Sequence, residues 1–277
     1  MRIITLTTDF GLEDAYVAAM KGVILSLAPK ATLVDVSHQV PPQDVFRAAL
    51  LLESFLPYYP ADAIHLLVVD PGVGTERRPL AARTPQGFFV APDNGVLTPA
   101  LAHGGESILV HLTETRYFRP SVSEGTACYA PTFHGRDIFA PVAAHLARGV
   151  PVEALGQVVS DPVLLNMPQA TRASPGVWLA EVIHVDRFGN LITSLRKEDL
   201  EGHPQEWAFE IGGRHLSGLH RTYSEVAVGQ LLALTGSTGR IEIAQREGHA
   251  ARALGLGTGA RVIARHFPGH LPGEPLH

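Results

Sequence analysis

The chain has one cysteine, Cys128, among 277 residues. A lone thiol excludes an internal disulfide and a cysteine-built zinc site. Long apolar runs are also missing, since no stretch approaches the roughly 20 residues needed to span a bilayer. The amino terminus, Met-Arg-Ile-Ile-Thr-Leu-Thr-Thr-Asp, turns polar too early for a secretory signal. An excess of positive charge is absent too: the formal net charge of -5 gives no electrostatic reason to expect nucleic acid or an anionic membrane as partner. The 14 histidines are scattered without a His-Glu-x-x-His spacing, so no metal site is assigned. These absences lead to the expectation of an intracellular, cytoplasmic protein.

What is present is ordinary globular composition, 45% hydrophobic and 18% charged. Apolar strand runs at 2–7, 31–36 and 64–69 alternate with two helical patterns. The first carries Tyr16, Val17, Met20, Val23, Ile24 and Leu27 on one face, and the second Val45, Ala48, Leu52, Phe55 and Leu56. Shorter strands are predicted at 80–83, 88–91 and 108–111, and a last helix is marked by Ile138, Phe139, Val142 and Leu146. This order predicts an α/β domain with a largely parallel sheet over residues 1–162. Residues 160–176 lack either period, carry three prolines and read as a linker. Beyond them, strand runs at 177–185, 191–194, 207–211, 231–234, 241–244 and 261–265 are separated by glycine turns. They predict a small β-barrel or sandwich over 174–265, with 266–277 as a frayed tail.

In an open parallel sheet the ligand crevice lies beyond the carboxyl ends of the strands. Thr8-Asp9, Asp35 to His38, and Asp70 all fall at such ends. Each alone reads as a cap or turn residue, whereas several on one edge point to a site. The loop after Asp70, Pro-Gly-Val-Gly-Thr-Glu-Arg-Arg, fits no phosphate-binding template: it lacks Gly-x-Gly-x-x-Gly and Gly-Lys-Ser/Thr, and Pro79 follows at once. Its residue types suit another use. A carboxylate beside a guanidinium can hold a small polar species between an acceptor and a donor fork. His134, just before the last helix, would be biased toward neutral imidazole. Asp70, an arginine (Arg77 or Arg78) and His134 would together position and activate a water.

Six motifs in order, TTDFG, VDPGVGTERR, APDNGVLT, TFHGRDIFAP, DRFGN and GSTGRIEIA, resemble those of the S-adenosylmethionine hydroxide adenosyltransferases, relatives of the fluorinating and chlorinating enzymes. The resemblance covers residues 3 to about 264. It implies an amino-terminal α/β domain, a carboxyl-terminal β-barrel, and a homotrimer with each site completed by the barrel of a neighbouring subunit. The implied reaction is S-adenosylmethionine plus water giving adenosine and L-methionine, with no cofactor beyond the substrate. Carried over by motif, Asp70, Arg77 and His134 would activate water, with Arg78 the competing arginine. Asp9 would accept the ribose hydroxyls, Asp186 the methionine ammonium, and Asn190 would meet the adenine edge. Ser237 would meet the methionine carboxylate, and Phe188 and Tyr223 would pack on the adenine.

Two departures stand out. Gln245-Arg246-Glu247 occupies a place where relatives often carry an asparagine segment, so those side chains are left out of the site. Thr238 follows Ser237 where the fluorinating enzymes have an arginine, which implies a weaker or different carboxylate contact. Two rival functions remain open at this point. A halide transferase would disfavour an ionised Asp70 at the nucleophile, and a substrate-binding sensor would have no use for an Asp-Arg-His set.

Overall fold

The computed structural model describes residues 2–102, 104–119 and 130–269. Cys128 and the last eight residues, including His270 and His277, lie outside them. The chain divides into two compact units, Met1–Leu165 and Asn166–His277.

The first unit is a three-layer α/β structure. Its strands are β1 (Ile3–Thr8), β2 (Thr32–Ser37), β3 (Ile64–Val68), β4 (Pro79–Thr84), β5 (Gly87–Pro92), β6 (Ile108–Leu112) and β7 (Gly156–Val159). They lie in the order β2-β1-β3-β5-β4-β6-β7. The pairs β1–β2, β1–β3 and β3–β5 are parallel, while β4 runs against both its neighbours and β7 runs against β6. Five of the seven strands therefore point one way, in accord with the expected largely parallel sheet.

Alternation along the central strand decides what each face holds. Ile64, Leu66 and Val68 pack with Met20 and Ile24 of α1 (Tyr16–Leu27) and with Val142 and Leu146. Leu67 and Val69 pack on the other face with Ala48 and Leu52 of α2 (Val45–Phe55) and with Ala100 of α3 (Thr98–Leu101). Every residue of β3 is buried, as a strand covered on both faces requires, whereas the edge strand β2 is half-exposed along its length. Full burial contributes about 1.5–3 kcal/mol per large apolar side chain. The last helix of the unit differs from its expected form. Ile138 and Phe139 lie in a π-helical turn, Gly135–Phe139, and the regular helix α4 is Ala140–Ala147.

The second unit is built from β8 (Thr171–Ser174), β9 (Val177–Val185), β10 (Leu191–Arg196), β11 (Trp207–Ile211), β12 (Arg214–Ser217), β13 (Leu219–His220), β14 (Leu231–Thr235), β15 (Arg240–Gln245) and β16 (Arg261–His266), with one short helix, α5 (Ala250–Leu254). The path β12-β11-β16-β9-β10-β15-β14-β13 curls until β12 touches β14, a nearly closed barrel. Phe209, Ile241, Ile243 and Val262 fill its core. Two differences from the sequence reading concern its ends. The polar segment Thr-Arg-Ala-Ser, exposed throughout and read as linker, adds β8 to the sheet. His266, read as tail, ends β16 and stacks on Trp207 at 4.9 Å between ring centroids.

Candidate active site

Strand β1 lies between β2 and β3, so the chain leaves it on one side and returns on the other, which opens a crevice at the strands' carboxyl ends. Thr8 pairs with Val68, so Asp9 and Asp70 emerge from adjacent strand ends. Asp9 Oδ2 accepts a hydrogen bond from the Gln43 amide at 2.8 Å, and Gln43 adopts φ 68°, the left-handed region that costs a non-glycine residue energy. The turn after Asp9 is held by the Gly11 amide donating to the His38 carbonyl at 2.8 Å. His38 in turn contacts Thr8 Oγ1 at 2.9 Å and Asp35 at 3.0 Å. The Asp35 to His38 cluster thus braces the loop from behind and does not line the cavity.

After β3 the chain turns at 70–75, with the Val73 amide donating to the Asp70 carbonyl and the Thr75 amide to the Gly72 carbonyl, each at 3.2 Å. Gly74 sits at φ +79°, where a Cβ would come within 3.0 Å of the Pro131 carbonyl. This fold-back returns Arg77 onto Asp70. Its Nε donates to Oδ1 at 3.0 Å and its Nη2 to Oδ2, a bidentate pair with both side chains buried. The same Nη2 lies 3.1 Å from His134 Nδ1. A guanidinium only donates, so Nδ1 accepts and the ring proton of the neutral imidazole belongs to Nε2. Burial first, and Arg77 second, pushes the His134 pKa below its usual value, which keeps the ring neutral at pH 7.

Arg78 points elsewhere. It donates to Asp93 Oδ2 at 2.8 Å, and to Asp161 through Oδ1 at 2.8 Å and the carbonyl at 2.7 Å. Adjacent residues of an extended segment face opposite ways, so one arginine joins the crevice and the other ties down the unit's last segment. Asp9, Asp70 and His134 line a cavity of about 440 Å³, walled by Phe10, Tyr16 and Phe133. The three rings pack with centroids 5.2–5.9 Å apart. Sequence reasoning missed this aromatic wall, although Phe10 and Phe133 stand inside two of the quoted motifs.

The remaining residues expected at the site from the sequence belong to the second unit. In the turn between β9 and β10, Asp186 Oδ1 accepts from the amides of Phe188 (2.9 Å) and Asn190 (2.8 Å), and Oδ2 from Asn190 Nδ2 at 2.9 Å. The same Nδ2 lies 3.4 Å from the Tyr223 hydroxyl. Asp186, Asn190 and Tyr223 therefore form one cluster. Phe188 is 74% exposed, and Ser237 is exposed in the turn after β14. Gln245 and Arg246 spend their side chains on the Gly229 and Val226 carbonyls, each at 2.8 Å. A further residue, absent from the sequence reading, joins this cluster: Glu242, buried on β15, whose carboxyl feels the charge of Asp186. A single charged residue in the apolar run of Ile241 to Ala244 was the available signal. Among the described residues no group of three or more His, Cys, Asp or Glu side chains is placed to hold a metal.

An α/β unit with an acid-lined crevice is thus followed in sequence by a small, nearly closed barrel. Residues 4–156 match the SAM hydroxide adenosyltransferase N-terminal domain and residues 180–263 its C-terminal domain, and the chain belongs to that family. It is 43% identical over 262 residues to the (R)-S-adenosyl-L-methionine hydrolase of Thermus thermophilus, covering 95% of this chain and 99% of that one. A fluorinase of an Actinoplanes species is 30% identical over 225 residues, covering 72% and 73%. The crystal structure of an uncharacterized conserved protein from Thermotoga maritima superposes with a TM-score of 0.84 at 32% identity, covering 95% of this chain and all of that one.

Proposed function

We propose that this protein hydrolyses S-adenosyl-L-methionine to adenosine and L-methionine by attack of water on the ribose C5′. The observation that carries the reading is the buried Asp70–Arg77–His134 set opening onto the acid-lined cavity. In this reading Asp70 accepts a hydrogen bond from the attacking water, and the His134 Nε2 proton fixes its orientation. Arg77 holds both partners in register. The new O–C5′ bond forms as the C5′–S bond breaks, and the pair of electrons leaves with the thioether sulfur of methionine, which needs no acid because it departs neutral. The proton lost by water passes to Asp70 and then to solvent, so one proton is released per turnover. The positive charge of the sulfonium is neutralised as hydroxide-like charge develops on the attacking oxygen beside Asp70, which a dry, preorganised site favours over bulk water. Alignment of oxygen, carbon and sulfur can supply several kcal/mol.

In the same reading Asp9 receives the ribose hydroxyls, and its fixed bond to the Gln43 amide holds the carboxylate in place. Asp186 is assigned to the methionine ammonium, Asn190 to the adenine edge, Phe188 and Tyr223 to its faces, and Ser237 to the methionine carboxylate. We extend the proposal to a cytoplasmic homotrimer in which the barrel of one subunit completes the substrate site of its neighbour. No cofactor other than the substrate enters the reaction. The relationship to the Thermus thermophilus hydrolase supports the activity.

The test is product analysis by chromatography after incubation with each sulfonium epimer, since that relative is named for the (R) form, with and without chloride. Adenosine and methionine beyond one equivalent are expected, and Asp70→Ala should abolish them while leaving binding and fold intact. Ligand recovered unchanged would mean a sensor, and a 5′-halo nucleoside would mean a halide transferase.

A further inference from the structure

The segment Thr-Phe-His-Gly-Arg-Asp supplies His134 to the site, whereas its last residue stands apart from the cavity. Asp137 lies within the π-helical turn with its side chain 1% exposed, and it does not line the cavity. Its carboxylate is nevertheless fully engaged. Oδ1 accepts from Arg136 Nε at 2.6 Å and from Arg119 Nη1 at 3.3 Å, and Oδ2 from Arg136 Nη2 at 2.8 Å and from the Ala130 amide at 3.0 Å. These bonds use the roughly four lone-pair positions that an ionised carboxylate offers. Burial alone would push its pKa up, and the bonds from Arg136 and Ala130 overcome this and hold it below the usual carboxylate range.

Each tie leads back to the crevice. The Phe133 amide donates to the Ala130 carbonyl, and the Asp137 amide to the Phe133 carbonyl, each at 3.2 Å. With the bond from the Ala130 amide to the carboxylate, these close a hydrogen-bonded loop over 130–137 that contains His134. Arg136, gripped at two nitrogens, is held with its guanidinium carbon 4.9 Å from the centroid of the Phe133 ring, one wall of the cavity. Pro131, next to Ala130, presents its carbonyl to the Gly74 turn that folds Arg77 onto Asp70. The Arg119 amide donates to the Asp137 carbonyl at 2.8 Å, so side chain and backbone act as one anchor. Desolvating a carboxylate makes a buried ion pair a weak source of stability beside apolar packing, so what this arrangement offers is fixed direction.

We propose that Asp137 is a positioning residue for the reaction: its carboxylate binds the Ala130 amide and Arg136 into a brace that sets the His134 ring against Arg77 and steadies the Phe133 wall. The assignment rests on the hydrolase reading above. Asp137 touches no reacting atom and acts through its neighbours. His134 Nδ1 must stay within reach of Arg77 Nη2, 3.1 Å away, for the ring proton to remain on Nε2 and face the water. With the brace slack the ring can turn, and either nitrogen can carry the proton. The loss then falls on the oriented water, since a displacement of about 1 Å can cost about 100-fold in rate. Asp9 is held from a different loop, through the Gln43 amide, so binding of the ribose should survive.

Two variants of the full chain carry the test. Asp137→Asn keeps an acceptor for the Ala130 amide but removes the charge and the second acceptor oxygen. Arg136→Lys keeps a charge opposite Asp137 without the fork, and it carries the test if Asp137→Asn fails to fold. Well below each melting temperature, kcat for S-adenosyl-L-methionine should fall about 10- to 100-fold in Asp137→Asn and by less in Arg136→Lys, with KM little changed. The second readout is the pair of ring-nitrogen NMR shifts of His134 at neutral pH. The wild type should show one protonated and one bare nitrogen, and each variant should draw the two shifts together as the tautomers mix. A lower melting temperature with kcat and ring shifts unaltered, or a loss confined to KM, would make Asp137 an anchor of the fold alone and overturn the proposal. A wild type that turns over no S-adenosyl-L-methionine would overturn the hydrolase reading, and the ring shifts would still decide whether the brace holds His134.

Discussion

At the scale of single residues, two neighbours of identical chemistry are separated by direction alone. Arg77 forks onto buried Asp70 and touches His134, whereas Arg78 ties Asp93 to Asp161 near the surface. Lysine cannot reproduce a bidentate fork. Arg77→Lys should therefore lower kcat/KM by about 100-fold or more, on the scale of losing one preorganised stabilising group. Arg78→Lys should leave kcat within a few-fold and lower the melting temperature modestly. Steady-state kinetics and calorimetry on the pair check both. A third residue sets an acid limit on stability. His65 is wholly buried on β3, bonded to Thr5 Oγ1 at 2.9 Å, and burial pushes its pKa down to about 4. The unfolded chain titrates near 6.5, so it binds more protons than the folded one between pH 6.5 and 4. The stability held above pH 6.5 is thus lost as pH falls through this window, by about 3 kcal/mol in all. Thermal unfolding across that range should be flatter for His65→Leu than for the wild type.

At the scale of elements, the π-helical turn Gly135–Phe139 determines where His134 sits. Gly135 is wedged between Met20 Sδ and the Phe133 ring, both 3.3 Å from where a Cβ would lie, with Val68 at 3.4 Å. Gly135→Ala should push the turn off α1 and β3, costing about 1–3 kcal/mol as overpacking does. It should lower kcat more than it raises KM, because His134 moves while the rest of the cavity wall stays, and kinetics with the variant's melting curve will show this. The sequence pattern made the regular helices and the buried strands readable, because their periods follow directly from which faces are covered. It could not reveal the π turn, whose Ile138 and Phe139 satisfy a helical period as well. Nor could it reveal β8, whose exposed polar residues carry no alternation to detect.

At the scale of the whole molecule, the chain divides into two compact units, and each carries some of the residues assigned above. Motif order made the family legible, and of the three strand-end clusters the structure brings Asp9 and Asp70 to one cavity while Asp35 to His38 lies behind it. What stayed hidden was three-dimensional: which arginine folds back, and that three rings wall the cavity. If the proposed homotrimer forms, light scattering will give three times the 29.7 kDa chain mass. The proposed assembly also predicts activity that falls on dilution below its dissociation range, and a fully active monomer would reject subunit-shared sites.

The burial of the Asp70–Arg77 pair has one more consequence. Its side chains are only 5% and 7% exposed, so dissolved ions cannot approach to weaken their attraction, whereas the contacts of Lys21 with Asp35 and of Arg78 with Asp161 face solvent and are open to screening. Raising ionic strength about tenfold should erode the outer ties while leaving the clamp as tight as before. The chemical step would then keep its pace in brine that has already begun to soften the protein around it.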